Sequence, residues 1–544
     1  MRPNLPVFLL VLVLVGGSFV RLHRLGVPEF LNDELMHYFP AVSLAEGGEP
    51  LLPAGWEYLR GSDITRLVSL SLQHGSDPEA AARLPSALLG VFGLFLFALV
   101  AWRIAGPWPA VWATLLFAIY PEGVFQSRMV RFYTYQLVFG LLAFYAGWQV
   151  VRHAGANTVR EKRELLTQWA WLAVCTLAFA LALRVQLTTL SIVAGFGTAV
   201  AVAAALDLRR RGAKVWRSSV PVAAVAFGLI GAVALLVAAP DLLARLARGA
   251  TYVAPWAAAE PGSSPLAYYR GLSTDFPLLV ALAPLAVIVT LWRDWRLGGY
   301  LLLWFGVPLA LHSLVFPWRS ERYILLAMPA LFLIGGIAAA EGSRALYQWL
   351  ARIAEGSGAT HRRARLFAGF GVAAVAVGAV GTQRAFNDTR RMVRASANTL
   401  GTNWTAMRFI LDSIPGGREL PLGVSDPLAG LFYLGRVDFS IYRHGLARPL
   451  PDRYPARSTL APGRPRELYV GAPVLPTPQD IRAVFGNAAD ILIEVDRARI
   501  AAGAIDPSLV KELERDAEEL CEGRCGAMWL YRWTAGREPL SSNR

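Results

Sequence analysis

The sequence predicts a polytopic α-helical membrane protein: about eleven membrane-spanning helices followed by an extracytoplasmic α/β domain. Three observations carry that expectation. Hydrophobic residues make up 55% of the 544 positions and charged residues 17%, whereas a soluble domain carries about a quarter charged residues. The mean hydropathy is +0.41. The apolar residues fall in blocks of about 16 to 20, matching the roughly 20 residues that cross a hydrocarbon core about 30 Å thick.

The first block, residues 5–20, has the length of a signal-peptide core. It lacks a small-x-small cleavage site and many apolar blocks follow, so it reads as a retained first helix. A long polar stretch, 21–83, comes next. Further blocks run approximately over 84–101, 108–120, 132–150, 168–184, 187–206, 219–239, 277–292, 298–316, 323–340 and 367–385. Alternate loops hold dense basic clusters, among them Arg152, Arg160, Lys162 and Arg163, then Arg209, Arg210, Arg211, Lys214 and Arg217. The positive-inside rule makes that side cytoplasmic. The 21–83 loop, the 121–131 turn, the 240–276 loop, the 317–322 turn and everything after 386 then fall outside.

The net charge is +14, but nucleic acid is not the expected partner. Only Lys162, Lys214 and Lys511 are lysines, and the arginines sit mostly in short loops where anionic lipid headgroups account for them. Residues 1–387 form the expected transmembrane unit, with the 21–83 loop, and 388–544 the expected periplasmic or extracytoplasmic α/β domain. In the latter, 491–495 and 528–533 read as strands, 508–520 as a helix and 445–480 as loop.

Three segments could carry chemistry. Phe30-Leu-Asn-Asp33-Glu34-Leu-Met-His37-Tyr38 places two adjacent carboxylates in the first outer loop. The pattern alone leaves two readings open for Asp33, a helix N-cap or a reactive base. Ser127-Arg128-Met-Val-Arg131-Phe-Tyr133 spaces two arginines to share a helical face toward an anion at the interface. Phe316-Pro-Trp-Arg319-Ser-Glu321-Arg322-Tyr323 opens a later block, and Arg270 lies in another outer loop. Helix-end snorkelling stays open for each arginine.

Together these segments resemble the polyprenyl-phosphate-sugar-dependent glycosyltransferases of the GT-C membrane fold, in the branch of aminoarabinose transferases and protein O-mannosyltransferases. The resemblance rests on Asn32-Asp33-Glu34, Ala82-Arg83-Leu-Pro-Ser-Ala-Leu-Leu-Gly90, the 127–133 segment, and Glu321-Arg-Tyr323 followed by Pro329. It implies inverting transfer of a sugar from an undecaprenyl-phosphate-like donor to a lipid, glycan or protein acceptor, at the outer leaflet of a bacterial inner (plasma) membrane. By that likeness Asp33 is the base, Glu34 its supporting carboxylate, and Arg128, Arg131, Arg322 and Tyr323 hold the donor phosphate. Arg270, Arg319 and His37 are additional candidates. One departure is that the His-Pro-Pro-Leu-like stretch of many members is replaced by Trp56-Glu-Tyr-Leu-Arg-Gly-Ser-Asp63-Ile-Thr.

No cofactor is certain. A divalent metal stays open, because His37, His74, Glu57, Asp63 and His312 show no ligand spacing. No phosphate-cradling Gly-x-x-x-x-Gly-Lys pattern occurs. Cys521 and Cys525 suit a short-loop disulfide in an oxidising compartment, and Cys175 suits packing. The competing readings are a lipid-linked sugar transporter or flippase, which predicts mid-span ionisable residues and repeated halves, and a non-catalytic scaffold for envelope assembly.

Overall fold

The computed structural model describes residues 4–152, 162–211, 264–316, 319–357, 360–394, 403–442, 447–448, 464–486, 489–501 and 503–534. The chain begins with α1 (Leu5–Leu22), α2 (Asn32–Ala45), α3 (Ser62–Leu72), α4 (Pro78–Ala105), α5 (Pro107–Ala118), α6 (Pro121–Ser127), α7 (Tyr133–Val151), α8 (Lys162–Val185) and α9 (Thr189–Arg211). It continues with α10 (Ala267–Asp275), α11 (Pro277–Ala281), α12 (Ala283–Arg293), α13 (Trp295–Ala310), α14 (Met328–Gly356), α15 (His361–Gly381) and α16 (Arg384–Arg394).

The protein is an integral membrane protein. Among the described residues, six helical segments are long and apolar enough to span: Leu5–Leu22, Pro78–Ala105, Leu166–Val185, Thr189–Leu206, Trp295–Val315 and His361–Gly381. The described residues do not confirm the expected eleven. The 219–239 block lies outside the described residues. The 277–292 block is broken at Leu282 into α11 and α12, and α5 is only 12 residues long. The helix expected from 323 starts only at Met328.

Apolar side chains turned outward mark the lipid-facing surface: Phe8 is 60% exposed in α1 and Phe370 76% in α15, unfavourable in water but matched to hydrocarbon. Inside, small residues let helices approach closely. A Cβ on Gly336 of α14 would meet the Pro109 carbonyl oxygen of α5 at 2.6 Å, the small-residue contact that membrane helices favour. Cys175 is buried as expected, 3.6 Å from the Ala143 carbonyl.

The C-terminal part folds around a five-stranded sheet of order β2-β1-β5-β7-β6. Its strands are β1 (Leu422–Val424), β2 (Phe439–Ser440), β5 (Asp490–Asp496), β6 (Glu518–Glu519) and β7 (Met528–Thr534), with β3 (Ala447–Arg448) and β4 (Arg466–Glu467) pairing separately. The two strands read from sequence pair antiparallel, from Asp490↔Thr534 to Asp496↔Met528. β5 is buried on both faces, as a central strand covered on each side should be. Ile491, Ile493 and Val495 join a core with Leu509, Leu513 and Trp533, while Leu492 joins the core continuous with the helical bundle. Two expectations change here. The helix expected over 508–520 spans Pro507–Asp516, because Glu518 and Glu519 pair with β7 instead. Residues Pro478–Phe485, partly within the expected loop, are helical and capped by Thr477. Cys521 and Cys525 form a disulfide.

The sheet is fastened to the first loop. Glu29 is 5% exposed and accepts from the Trp404 and Thr405 backbone N–H groups at 3.1 and 3.0 Å, so it serves the N-terminus of α17 (Trp404–Ser413). Tyr433 accepts from the Phe30 N–H at 2.5 Å, and Phe432 packs edge-on against Phe30 and Tyr38.

Candidate active site

The site forms where α2 starts. Its first turn is capped by Glu34, whose carboxylate takes the Leu31 N–H at 2.9 Å. Asp33 is already inside the helix and does not occupy the N-cap position, which is Leu31. The capping reading of Asp33 therefore does not hold.

Glu34 is 1% exposed and pairs with Arg83, itself 2% exposed, through Nε and Nη2 at 2.8 Å each. It also accepts the Val130 N–H at 3.0 Å. Arg83 spends its remaining donors on the Leu25, Pro28 and Glu29 carbonyls at 2.8, 2.6 and 3.0 Å. The expectation that Glu34 supports Asp33 is thus replaced: Glu34 points into the fold and ties the first loop to α4 and the 128–131 turn.

Asp33 turns the other way and remains 40% exposed. Its Oδ2 lies 3.1 Å from Arg322 Nη1 and 3.4 Å from Arg131 Nη2, and Arg131 Nη1 donates to the Asp33 carbonyl at 3.1 Å. Burial would raise the Asp33 carboxyl, but the charges of Arg131 and Arg322, with the Arg322 hydrogen bond, hold it below the ordinary aspartate value of 3.8. Arg131 is 4% exposed and lies over the Phe132 and Tyr133 rings. Arg322 lies over Tyr323, 5.4 Å from its centroid, and Tyr323 stacks on His312.

Several buried polar atoms around this carboxylate have no hydrogen-bond partner among the described residues: Arg131 Nε, Arg322 Nε, the Tyr133 and Tyr58 hydroxyls, His37 Nε2 and Asn32 Oδ1. Buried polar groups are normally satisfied. The donors among them, Arg131 Nε, Arg322 Nε and the two tyrosine hydroxyls, make this a place for an anion with its own acceptor oxygens.

The other candidates separate. Arg128 and Arg131 do not share a helical face, because α6 ends at Ser127 and α7 begins at Tyr133. Arg128 instead closes the C-terminal end of α1, donating to the Val20 and His23 carbonyls at 2.9 and 2.7 Å. Arg319 donates to the Ser313 carbonyl at 3.0 Å, and Arg270 is exposed on α10. His37 is fully buried, with Nδ1 3.2 Å from Thr65 Oγ1. Burial first, then Arg131 and Arg60, push it well below the ordinary histidine value, so it is neutral. Gly61, at φ +64°, lets the chain pass over it: a Cβ there would meet Phe132 Cδ1 at 2.7 Å and His37 Cε1 at 3.2 Å. Among the described residues no group of three or more His, Cys, Asp or Glu side chains is placed to hold a metal ion. Arg83, the partner of Glu34, stands in the sequence within a segment that carries the family resemblance, but with no site role assigned to it.

Residues 14–241 match the family model described as dolichyl-phosphate-mannose-protein mannosyltransferase. No curated protein matches the chain by sequence. Among solved structures, ArnT from Cupriavidus metallidurans, bound to undecaprenyl phosphate, is similar over 99% of this chain and 100% of its own, at 15% identity and a TM-score of 0.57. The archaeal oligosaccharyltransferase AglB from Archaeoglobus fulgidus, in complex with an inhibitory peptide and a dolichol-phosphate, is similar over 99% of this chain and 75% of its own, at 11% identity and a TM-score of 0.56. The two solved structures share their fold with this chain along nearly its whole length, and the family match covers its first helices and the Asp33 loop: the protein carries the GT-C membrane fold.

Proposed function

We propose that the protein is a membrane glycosyltransferase that moves a sugar from a polyprenyl-phosphate donor to an acceptor hydroxyl, with inversion. The observation that carries this reading is the half-exposed Asp33 carboxylate held between Arg131 and Arg322, the latter 289 positions away in sequence. The apolar bundle below suits a prenyl chain. The match to a family named for a lipid-phosphate sugar donor, and the undecaprenyl phosphate of ArnT, add to it.

The chemistry follows from the charges. The acceptor oxygen attacks the anomeric carbon of the donor sugar as the bond from that carbon to the phosphate oxygen breaks. Asp33 takes the acceptor proton, and the polyprenyl phosphate leaves with the bonding electrons. Arg131 and Arg322 stabilise the charge that develops on the leaving phosphate. The same two arginines keep Asp33 acidic when no phosphate competes for them. A bound phosphate would draw their charge away and make the carboxylate more basic, so base strength rises only when the donor is in place. Tyr323, against Arg322, lines the phosphate side.

In this reading residues 388–544 stand with the 21–83 loop on the extracytoplasmic side of a bacterial inner membrane, with the N-terminus cytoplasmic. The test is sugar transfer in proteoliposomes with a panel of polyprenyl-phosphate sugars and a cell-envelope extract, wild type against Asp33→Asn. Transfer by the wild type and its loss in a correctly inserted variant supports the assignment. Equal transfer by both removes Asp33 from the reaction, and no transfer or polyprenyl-phosphate binding by the wild type rejects the glycosyltransferase reading.

A further inference from the structure

Beyond Tyr323, the Arg322 side of the site holds a histidine that the transfer chemistry leaves unused. After Ala310, where α13 ends, the chain makes one wide helical turn, Leu311–Val315, closed by the Phe316 N–H on the Leu311 carbonyl at 3.0 Å. Wide turns of this kind recur at functional sites. This one carries His312, which is buried. Its ring stacks on Tyr323 with centroids 6.0 Å apart, and the Phe316 and Tyr268 rings stand 5.0 and 6.4 Å away. Tyr268 is itself fixed by the Ser320 N–H, which donates to its hydroxyl at 3.2 Å.

The hydrogen bonds decide which ring nitrogen carries the proton. His312 Nε2 lies 3.2 Å from Ser191 Oγ. The Ser191 hydroxyl gives its own proton to the Thr188 carbonyl at 2.8 Å, so Nε2–H is the donor and Ser191 Oγ the acceptor. The 188–191 turn is pinned to α7, where Gln136 Nε2 donates to Thr188 Oγ1 and Thr189 Oγ1 at 3.2 and 2.9 Å. No carboxylate bonds to the buried ring among the described residues, so the imidazole is neutral. A neutral imidazole protonated at Nε2 has a bare lone pair at Nδ1. That atom is buried and has no hydrogen-bond partner among the described residues.

The unsatisfied Nε atoms of Arg131 and Arg322 are donors, suited to phosphate oxygens. His312 Nδ1 is an acceptor. A phosphodiester has no proton to offer it, and a prenyl chain would leave it unpaired at a cost. A hydroxyl satisfies it, and the surrounding rings of Tyr323, Phe316 and Tyr268 supply the aromatic lining usual around such a polar group in a ligand site. We infer that His312 binds the donor sugar: Nδ1 accepts one sugar hydroxyl, beside the Arg322 that takes the phosphate of the same donor. This rests on the proposed transfer reaction. It divides donor recognition between two arginines that hold the phosphate and a neutral imidazole that reads the sugar, with Ser191 positioning the ring in its accepting tautomer.

The test uses full-length protein in liposomes, the polyprenyl-phosphate sugar that the wild type transfers, and a series of donors each lacking one sugar hydroxyl. His312→Gln can keep a donor toward Ser191 but removes the acceptor at Nδ1, whereas His312→Asn keeps an acceptor near Nδ1. His312→Gln should lower kcat/KM for the donor roughly tenfold to a hundredfold, with undecaprenyl phosphate affinity within about twofold of wild type. His312→Asn should lose less, and Ser191→Ala should move transfer in the same direction by freeing the tautomer. One deoxy donor should cost the wild type a factor similar to the substitution and cost His312→Gln nothing more, a coupling that a merely structural role does not produce. Wild-type transfer of every deoxy donor as fast as the parent overturns the inference, as do equal deoxy penalties in wild type and His312→Gln. Both leave the glycosyltransferase reading standing. An equal loss of undecaprenyl phosphate affinity in His312→Gln also overturns it, by making His312 a support for Tyr323 and Arg322. A wild type that neither binds undecaprenyl phosphate nor transfers sugar overturns both.

Discussion

Asp33 and Glu34 are neighbours in sequence with the same chemistry, yet the fold gives them opposite tasks. Glu34 is sealed at 1% exposure with Arg83 and two backbone N–H groups. Asp33 is 40% exposed, and the two arginines that hold it each keep an Nε with no hydrogen-bond partner among the described residues. A carboxylate with all its lone-pair directions filled from within is a fastening. A carboxylate facing two cations and open space can exchange partners, which is what a base beside a phosphate site has to do.

Exchanging the two residues' tasks gives the largest expected effects. Glu34→Ala strands the Arg83 guanidinium in the interior, and breaking a buried pair in this way costs about 3–5 kcal/mol. The expected outcome is a variant that inserts poorly or unfolds early in a thermal melt, in detergent and in liposomes. Asp33→Asn should leave the melt within about 1 kcal/mol of wild type, the range of an exposed pair. Its transfer rate should fall by about two to four orders of magnitude, the range of a lost general base. A stable Glu34 variant alongside an unstable Asp33 variant would invert the comparison.

Arg322→Ala sharpens it by separating the proposed phosphate side from the proposed base. Loss of one preorganised charge should lower transfer by about two to three orders of magnitude. It should also weaken undecaprenyl phosphate binding, which Asp33→Asn should not. With one cation gone, the Asp33 carboxyl moves up toward its ordinary value, so the acid limb of the pH–rate profile should shift to higher pH. An unchanged limb would mean that Arg322 does not govern this carboxylate in the working enzyme.

How much of this was legible in the sequence depends on range. Most of the apolar blocks within the described residues and the two long strands follow from local composition, and the structure keeps them, while the Cys521–Cys525 disulfide, left open by the sequence, is formed. Asp33, Arg131 and Arg322 could be picked out as charges near helix ends. Their convergence could not be read, because it depends on how segments 289 positions apart pack. Glu34 and Arg128 were misjudged for the same reason. Each looked free in its own segment, and each is taken up by a distant one: Glu34 by Arg83, Arg128 by the carbonyls ending α1. The Arg128 error also had a local cause, a non-helical turn between α6 and α7 that shares the apolar and aromatic character of the helices beside it.

A smaller effect tests how the first loop carries the C-terminal part. Glu29 accepts both leading N–H groups of α17 and the Thr405 hydroxyl, the last at 3.1 Å. Glu29→Ala should cost about 1–3 kcal/mol through unsatisfied helix-end donors. Hydrogen exchange at the Trp404 and Thr405 amides should speed up while exchange in α4 stays at the wild-type rate. Acceleration in both places would show that docking and bundle stability are one unit.

The smallest effect concerns a third buried carboxylate. Glu494 in β5 is fully buried, like Glu34, but among the described residues no arginine bonds to it: Ser425 donates from N–H and hydroxyl at 2.7 and 2.9 Å, while Arg499 engages Asp426 at 2.6 Å. Burial therefore dominates and pushes the Glu494 carboxyl up from 4.5 to about 8, against the pull of the Ser425 hydrogen bonds. The sign differs from that of Asp33. A raised carboxyl favours the folded state when protonated, so this contribution is full below pH 4.5 and is lost as pH rises through about 8. The Asp33 contribution is present above 3.8 and is lost only as pH falls below that value. Fluorescence melts of Trp533, in the sheet core, should therefore fall in midpoint between about pH 4.5 and 8. Glu494→Gln, permanently neutral, should flatten that slope without raising the midpoint at acid pH. A wild-type midpoint that is flat across this window would mean that Glu494 is buried charged, with Ser425 and the Arg499 field together doing for it what Arg83 does for Glu34.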